Sequence, residues 1–322
     1  MSENSSFSRE LPGLQIAWDA TSLSALKRCP RAYQLSIIEG WEPRAKSIHL
    51  VWGGWLHSAL EEFTHQRAAR GHDDALASAI GLALTISWDY ELDRPYASRD
   101  ALKHRESLLR VLIDYADHYK ADELKTLTLP NGAPAVEVSF ALPLTDEHSV
   151  TGEDYMLCGH IDRLVVTKSG EVLVTDRKTT GKPLDEHFFR SFTPSNQFTT
   201  YAFAASALFN ASPRGVIIDA IRVTQRESEF ARRGLTIVPD ALREWRSELS
   251  SWLRTAERYA LHALWPKNES ACYGCDFRRV CAAAPSLRPS ILASDFIRRI
   301  WDPLIPRNSP LSRPLSNQEK QS

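Results

Sequence analysis

The stretch that decides the fold is residues 155–178, which read YMLCGHIDRLVVTKSGEVLVTDRK. Apolar residues dominate two segments, 155–167 and 171–175, and the pair Ser169-Gly170 between them is typical of a tight turn. Just upstream, residues 135–142 alternate between apolar and polar side chains, as strands do when one face is buried. The three segments predict the strands of an antiparallel meander.

Helical spacing of apolar residues surrounds this meander. The segments that show it are 52–69, 73–92, 100–124, 193–209 and 240–264, and in the fourth Thr193 is a suitable N-cap with Pro194 as the first helical residue. Segments 216–224 and 230–238 have the pattern of two more strands. The sequence therefore predicts an α/β fold in which helices flank a mixed central sheet.

Shifts in composition divide the chain into five regions. We expect a flexible N-terminus at 1–18, a helical region at 19–130, a core with its following helix at 131–264, and a cysteine-bearing region at 265–302. Pro, Ser, Arg, Asn and Gln dominate residues 303–322. Such a segment buries too little apolar surface to offset the entropy of ordering it, which predicts a disordered tail.

The overall composition excludes several classes of protein. The 39 basic and 40 acidic residues leave a formal charge of −1, so no positive field of the whole chain indicates nucleic acid. No window approaches the roughly 18–20 consecutive apolar residues of a membrane span, and the first residues lack the basic start and apolar run of a signal peptide. We therefore expect a cytoplasmic protein with no membrane partner.

Two aspartates and a lysine lie in or next to the two segments that predict a hairpin, 155–167 and 171–175. Asp176 and Lys178 point to the same face of their strand because side chains alternate, and the hairpin brings Asp162 alongside them. This group suits Mg²⁺-assisted hydrolysis of a phosphodiester: the oxygens hold the ion, the ion polarises the phosphate, and the lysine positions or deprotonates a water. The alternative is an ion pair at a strand end, for which such triplets are common.

Five cysteines form a second candidate site. Cys272, Cys275 and Cys281 have the spacing C-x2-C-x5-C, which in a cytosolic chain favours metal binding over disulfides. A fourth ligand is needed, and Cys29 and Cys158 are the candidates. The residues alone leave structural zinc, an iron-sulfur cluster and unrelated free thiols open.

The order of short motifs along the chain adds a family resemblance. The motifs are W-G-G-W-L-H at 52–57, V-E-V-S-F at 136–140, G-x-x-D at 159–162, D-x-K at 176–178 and Q-x-x-x-Y at 197–201. Over about residues 20–285 this order resembles the RecB-like branch of the PD-(D/E)XK nuclease superfamily, which includes the helicase-associated AddB nuclease and the CRISPR adaptation nuclease. The resemblance implies a restriction-endonuclease-like core.

The same resemblance implies a set of metal ligands. Asp162 and Asp176 would bind the ion, with the backbone carbonyl of Arg177 as a further ligand. His57 would add an imidazole from the helix, which suits Mn²⁺ better than Mg²⁺. The alternative for His57 is a packed or capping histidine.

The remaining catalytic assignments also follow from the resemblance. Lys178 would act on the attacking water, and Gln197 and Tyr201, four residues apart on one helix face, would hold the surroundings of the nucleophile or a DNA phosphate. In isolation Gln197 and Tyr201 are ordinary polar residues of a helix. Glu137 carries less weight, because an outward Glu is expected on an alternating strand.

For the cysteines, the resemblance favours iron over zinc. Cys29 lies in L-K-R-C-P-R-A-Y at 26–33, which matches the early cysteine motif of the iron-sulfur members of the branch. With Cys272, Cys275 and Cys281 it would bind a 4Fe-4S cluster that clamps the N- and C-terminal parts together. Cys158 would be a small buried apolar residue.

These expectations combine into a function. We expect a Mg²⁺- or Mn²⁺-dependent deoxyribonuclease, an exonuclease that prefers single-stranded DNA or DNA ends, acting in recombination, repair or processing. No Walker A motif is present, so a helicase or a recombination or adaptation protein is the expected partner. The alternatives are a nuclease-dead or a zinc-stabilised DNA-end-binding subunit of a larger complex.

Overall fold

The computed structural model describes residues 6–45, 47–98, 100–209 and 215–305. The strands in this part of the chain are β1 (Ala17–Trp18), β2 (Trp41–Pro43), β3 (Trp88–Asp89), β4 (Arg94–Pro95), β5 (Lys125–Thr126), β6 (Val136–His148), β7 (Asp154–Val166), β8 (Val172–Thr180), β9 (Gly215–Val223), β10 (Ser228–Thr236) and β11 (Phe296–Arg298). The α-helices are α1 (Ala20–Arg28), α2 (Pro30–Tyr33), α3 (Ile48–Arg70), α4 (His72–Ile86), α5 (Arg105–His118), α6 (Glu186–Arg190), α7 (Asn196–Phe209), α8 (Pro239–Leu261), α9 (Arg278–Ala282) and α10 (Arg288–Asp295). No helix among these is both long and apolar enough to cross a bilayer.

Two units are built from non-contiguous segments of the chain. The central unit comprises residues 46–138 and 161–237, and the terminal unit comprises 1–45, 139–160 and 238–322. Strands β6 and β7 contribute residues to both units. Residues 306–322, which make up most of the predicted disordered tail, lie outside the described residues, as do residues 1–5.

The central unit contains a mixed sheet with the strand order β5-β7-β8-β9-β10. β8 and β9 are parallel, whereas the other neighbouring pairs are antiparallel. The hairpin of β7 and β8 is the one that the Ser169-Gly170 turn predicts, with Arg163 opposite Thr175. Helices of the same unit pack on this sheet. The predicted α/β fold, with a mixed central sheet flanked by helices, is confirmed.

Helices α3, α4 and α5 form the apolar core of the central unit. Along α3, buried residues recur every three or four positions, at Trp52, Leu56, Leu60 and Phe63. They pack with residues of α4, α5 and β9, namely Ala75, Ala79, Ala83, Leu108, Leu112, Ile221 and Val223. Each fully buried Leu or Phe contributes roughly 1.5–3 kcal/mol, so this face of α3 holds the helix firmly against its neighbours.

The terminal unit joins distant parts of the sequence. β1 pairs in parallel with the first half of β7. Trp18 stacks on Tyr33 with ring centroids 5.6 Å apart, and Tyr33 contacts Trp265 at 5.3 Å. β1 belongs to segment 1–18, in which flexibility is predicted, and the buried Leu14 lies in the same segment. Four of the five residues 14–18 are apolar and buried, which explains why this end of the segment joins the core.

The helix predicted at 193–209 begins at Asn196 instead. The Ser195 hydroxyl accepts a hydrogen bond from the Phe198 N–H at 3.3 Å, and the Ser195 carbonyl accepts one from the Thr199 N–H at 3.1 Å. These are the contacts of an N-cap residue. Ser195 therefore has the role that the sequence assigned to Thr193.

The helix predicted at 73–92 ends early, at Ile86. The following residues form the small hairpin of β3 and β4. In its turn the Asp89 carboxylate accepts hydrogen bonds from the Glu91 and Leu92 N–H groups at 3.2 and 3.1 Å. Aspartate offers the backbone this alternative to a helix, which explains why the helix stops.

Candidate active site

The pairing of β7 with β8 brings two carboxylates together in the central unit. Arg163 lies opposite Thr175, and the same register places Asp162 opposite Asp176. The Arg177 N–H donates a hydrogen bond of 3.1 Å to Asp162 Oδ2. The two aspartates of the G-x-x-D and D-x-K motifs are thus neighbours across two strands, as the hairpin predicts.

Asp176 is removed from water, with 1% of its surface exposed. The Lys178 Nζ lies 2.7 Å from its Oδ2 and forms an ion pair. In the described part of the chain, Oδ2 has no well-directed hydrogen bond. Burial, and next the negative charge of Asp162, raise the pKa of Asp176 to about 7, although Lys178 opposes the shift. The positive charges of Lys178 and Arg177 do not cancel this rise, so the carboxylate pair has the surroundings of a cation site.

His57 reaches the same place from helix α3. Its Nε2 lies 3.1 Å from the Arg177 carbonyl oxygen, and its Nδ1 lies 3.6 Å from Asp162 Oδ2. Burial lowers the pKa of His57, and Arg177 and Lys178 lower it further against the opposing effect of Asp162. A neutral imidazole is the form that binds a metal ion. The predicted ligands His57, Asp162 and the Arg177 carbonyl are therefore adjacent.

Glu137 is the residue that sequence reasoning underrated. Its carboxylate lies with His57 and Asp162 in a group whose ligand atoms are all within 4.8 Å of one another. Its φ of +47° is unusual for a residue with a side chain and breaks the alternation of β6, so that Val136, Glu137 and Val138 are all buried. The sequence gives no signal of this burial, because a Glu at an alternate position of V-E-V-S-F is ordinary for a half-exposed strand.

Lys178, Gln197 and Tyr201 form a chain of hydrogen bonds. The Lys178 Nζ donates to Gln197 Oε1 at 2.9 Å, and Gln197 Nε2 donates to the Tyr201 hydroxyl at 2.9 Å. Burial, and then the charges of Asp162 and Asp176, raise the pKa of Tyr201 well above its usual range, so its hydroxyl stays protonated. The structure brings these three predicted residues together.

The donor set fits a hard or borderline divalent cation. Carboxylate and carbonyl oxygens are the ligands that Mg²⁺ and Mn²⁺ prefer, and one imidazole is compatible with Mn²⁺. The buried Asp176 Oδ2 is the kind of atom that a bound cation would satisfy. The residues present therefore fit the ion that the sequence predicts.

All five cysteines belong to the terminal unit, with Cys29 directly after α1 and Cys281 within α9. The Asn268 N–H donates to Cys29 Sγ at 3.4 Å, and the Cys272 thiol donates to the Asn268 carbonyl at 3.9 Å. Burial, together with the nearby thiols of Cys275 and Cys29, raises the pKa of Cys281. Cys29 is thus a neighbour of the C-terminal cysteines.

The cysteines do not form a site for a single ion. All five are free thiols, and among the described residues no three of their sulfur atoms lie within 4.8 Å of one another. Cys158 is fully buried, its thiol donates to the Trp18 carbonyl at 3.4 Å, and burial raises its pKa strongly. It has the environment of a structural residue.

Comparison with known families decides the assignment of the fold. A model of the PD-(D/E)XK nuclease superfamily matches residues 17–282, which include every one of the motifs above. The chain belongs to the PD-(D/E)XK nuclease superfamily. The superfamily that the motif order suggested is therefore confirmed, and Asp162, Asp176 and Lys178 lie within the matched region.

One solved structure agrees on the fold. A crystal structure of a Eubacterium rectale protein provisionally named an exonuclease has 13% sequence identity and a TM-score of 0.50, over 85% of this chain and 92% of that one. At this identity the likeness shows fold alone. The protein SSO0001 has 12% identity and a TM-score of 0.32, over 73% of this chain and 95% of that one. No curated protein matches the chain significantly.

Proposed function

We propose that this chain is a divalent-metal-dependent deoxyribonuclease that hydrolyses phosphodiester bonds. The observation that carries the proposal is the buried Asp176 carboxylate, next to Asp162 and Lys178, in a member of a nuclease superfamily. Two carboxylates and one ammonium leave excess negative charge in a place with little water, which favours a cation.

The candidate ligand atoms come from four elements of the central unit. His57 of α3, Asp162 of β7, Asp176 of β8 and the Arg177 carbonyl would hold Mg²⁺ or Mn²⁺, and Glu137 of β6 adds a third carboxylate. When bound, the ion supplies positive charge that polarises the scissile phosphate. The buried imidazole is already neutral, so no proton has to leave it first.

Lys178 is the group that acts on the attacking water. Its ammonium is held by Asp176 and Gln197, so its position is fixed before substrate arrives. From there it orients the water and offsets charge that develops on the phosphate. Tyr201 keeps its proton, holds Gln197, and can donate to a phosphate oxygen.

We further infer that the enzyme is an exonuclease that prefers single-stranded DNA or DNA ends. This inference rests on the RecB-like order of the His57, Asp162, Asp176, Lys178 and Gln197 motifs. Recombination, repair or end processing are the settings, and a helicase or a recombination or adaptation protein is the partner that would open strands for it.

We also propose a 4Fe-4S cluster on Cys29, Cys272, Cys275 and Cys281. A cubane takes one thiolate on each of its four irons, and these four cysteines supply that number. The proposal rests on the C-x2-C-x5-C spacing and on the resemblance of the motif at 26–33. Burial and the neighbouring thiols raise the pKa of Cys281, and Arg31 and Lys267 lie close enough to oppose that rise. Positive neighbours of this kind suit a site built from thiolates.

The test is cleavage of end-labelled oligonucleotides by protein purified without oxygen. Single-stranded, double-stranded and circular single-stranded DNA, and a matching RNA, are incubated with Mg²⁺, Mn²⁺ or a chelator. We expect metal-dependent shortening of linear single strands, no cleavage of the circle, and no cleavage by Asp176→Asn. The asparagine keeps the shape of the buried side chain, so the variant should remain folded.

Three results would redirect the assignment. Cleavage of the circle would show an endonuclease. Binding of DNA ends without cleavage in either metal would favour the nuclease-dead end-binding subunit. Unchanged cleavage by Asp176→Asn would remove the metal site from the mechanism.

A further inference from the structure

An arginine follows each of the two candidate metal-binding aspartates, as Asp162-Arg163 and Asp176-Arg177. Because side chains alternate along a strand, each arginine lies on the sheet face opposite to its aspartate. Both arginines are buried, and only 4% of the Arg177 surface is exposed. Burying a guanidinium costs several kcal/mol of hydration unless it is well paired. The presence of buried arginines on the sheet face opposite to the aspartates therefore requires an explanation.

Arg163 and a third arginine, Arg232, have their own carboxylates. Arg232 of β10 donates to both oxygens of Asp122 at 2.9 Å and to Asp219 Oδ2 at 3.2 Å. Arg163 lies 3.9 Å from Asp122 Oδ2. Tyr115 of α5 donates a further hydrogen bond to Asp219. Asp122 is therefore shared between these two guanidinium groups, and Asp219 pairs with Arg232.

Arg177 differs, because its guanidinium forms no ion pair in the described part of the chain. Its Nη2 donates to Thr64 Oγ1 at 3.3 Å, its guanidinium carbon lies 5.8 Å from the Tyr115 ring centroid, and its Nε has no acceptor. An apolar side chain of the same length would avoid the hydration cost at this position. Against the effect of burial, Tyr115, Asp219 and Asp162 raise the pKa of Arg177, so its charge is stabilised without a direct ion pair among the described residues. Close ion pairing therefore does not account for an arginine here.

The backbone of Arg177 gives the reason. Its N–H donates to Asp162 Oδ2 at 3.1 Å, and its carbonyl oxygen lies 3.1 Å from His57 Nε2. Its side chain reaches Thr64, which lies two turns after His57 on helix α3. Residue 177 is thus attached to α3 at two points, once through its carbonyl and once through its guanidinium.

We propose that Arg177 is a positioning residue of the metal site. Its buried side chain fixes the spacing of β8 and α3, and thereby holds the backbone groups that orient Asp162 and His57. This inference rests on the proposed metal-dependent nuclease function. Groups that orient metal ligands are typically worth 10–100-fold in metal affinity, which sets the size of the expected effect.

The experiment is a Mn²⁺ titration without nucleic acid. Binding is measured by calorimetry and by the electron paramagnetic resonance signal of free Mn²⁺. Arg177→Met should weaken Mn²⁺ binding about 10–100-fold. Thr64→Val, which keeps the shape but removes the acceptor hydroxyl, should shift the Kd in the same direction by less. Arg177→Lys should stay weakened, because one ammonium does not reproduce the guanidinium contacts with both Thr64 and Tyr115.

Arg110→Met is the matched control. Arg110 donates to Ser228 Oγ at 3.0 Å and to the Thr224 carbonyl at 2.7 Å, and so supports the same unit without touching β8. It should lower the Tm but leave the Kd for Mn²⁺ unchanged. Excess Mn²⁺ should restore the cleavage rate of Arg177→Met but not that of Asp176→Asn.

The outcomes separate the inference from the function on which it rests. If the wild-type protein binds no Mn²⁺, the metal-dependent function fails and the positioning role fails with it. If the wild type binds Mn²⁺ and both Arg177→Met and Thr64→Val bind it equally well, the positioning role is overturned while the function stands. Should Arg177→Met not fold, an unchanged Kd in Thr64→Val overturns it alone.

Discussion

The Lys178 ammonium donates a hydrogen bond of 2.9 Å to the side-chain oxygen of Gln197. The two residues lie on different elements, β8 and α7. The connection between these elements is fifteen residues long and includes the short helix α6. Lys178 also pairs with Asp176, so the ammonium is held from two sides. A lysine restrained in this way is already in position and loses little further conformational freedom in the transition state. Such preorganisation is the condition for effective electrostatic catalysis.

The first prediction concerns this pair. Lys178→Ala should lower the single-turnover cleavage rate by at least roughly 10²-fold, the usual scale for losing one such group. Lys178→Arg should not restore it, because a guanidinium is broader and does not readily release a proton. Gln197→Ala should cost less, and the double variant should be no slower than Lys178→Ala, because Gln197 acts through the lysine.

Lys182→Ala is the control for that series, since Lys182 is an exposed lysine just beyond β8. Its cleavage rate should match that of the wild type. Affinity for a labelled DNA end should change little in Lys178→Ala, because one phosphate contact carries a small share of the total. Parallel loss of affinity and rate would make Lys178 a phosphate anchor instead.

Glu137 supports the second prediction. Glu137→Gln should weaken Mn²⁺ binding by about 10-fold or more, because it removes a charge from the ligand group with His57 and Asp162. Glu137→Gly should weaken binding as well, yet relieve about 1 kcal/mol of backbone strain at φ +47° and so not lower the Tm by much. Glu171→Gln, in the exposed turn before β8, is the control with wild-type affinity.

Metal titration measures the contribution of Glu137 to Mn²⁺ affinity, and thermal melts measure the effect of its backbone strain on stability. A wild-type Kd in Glu137→Gln would mean that its carboxylate only fills space beside the site. A large drop in Tm for Glu137→Gly would mean that packing of the side chain outweighs the strain.

The sequence predicts the sheet and the hairpin of β7 and β8, because both follow from local rules. Alternation within a strand places Asp176 and Lys178 on one face, and the Ser169-Gly170 turn fixes the partner strand. Glu137 shows where such rules end. Its position in the site depends on a positive φ that interrupts the alternation of β6. No pattern in the neighbouring residues predicts this φ value.

Helix boundaries show the same limit in a different form. Thr193 and Ser195 are both good N-cap residues, and the choice between them depends on tertiary contacts that the local sequence does not contain. The role of Arg177 is also invisible in the sequence, since its guanidinium reaches helix α3, more than a hundred residues earlier in the chain.

The third prediction tests the cysteine site of the terminal unit. Protein purified without oxygen should be brown and contain about four irons per chain, because four thiolates suit a cubane cluster. Cys29→Ala should lose iron and colour, whereas Cys158→Ala should keep both, since Cys158 is buried against Trp18. Iron analysis and the visible spectrum measure this.

Two results would contradict the cysteine assignment. Loss of iron in Cys158→Ala but not in Cys29→Ala would exchange their roles. Zinc in place of iron, with a colourless protein, would favour the zinc-stabilised alternative.

The last prediction concerns Lys103, a lysine of the central unit with 5% of its surface exposed. Its Nζ has no hydrogen-bond partner among the described residues and lies 4.0 Å from the centroid of the Trp52 ring. Burial lowers its pKa from the usual 10.5 to about 8, against the opposing effect of Asp100.

Below pH 8 the lysine is protonated in both the folded and the unfolded chain, so the cost of burying its charge is fully present. Between pH 8 and 10.5 the folded state releases the proton and the unfolded state keeps it, so the wild type gains stability with rising pH. Lys103→Met should therefore be more stable than the wild type at pH 7, by about 1 kcal/mol once the lost cation–π contact is deducted, and the difference should vanish toward pH 10.5. Chemical unfolding at a series of pH values measures the difference, with the exposed Lys120→Met as the control that shows no such trend. A Lys103→Met protein that is less stable than the wild type at every pH would mean that the contact with Trp52 outweighs the cost of burial.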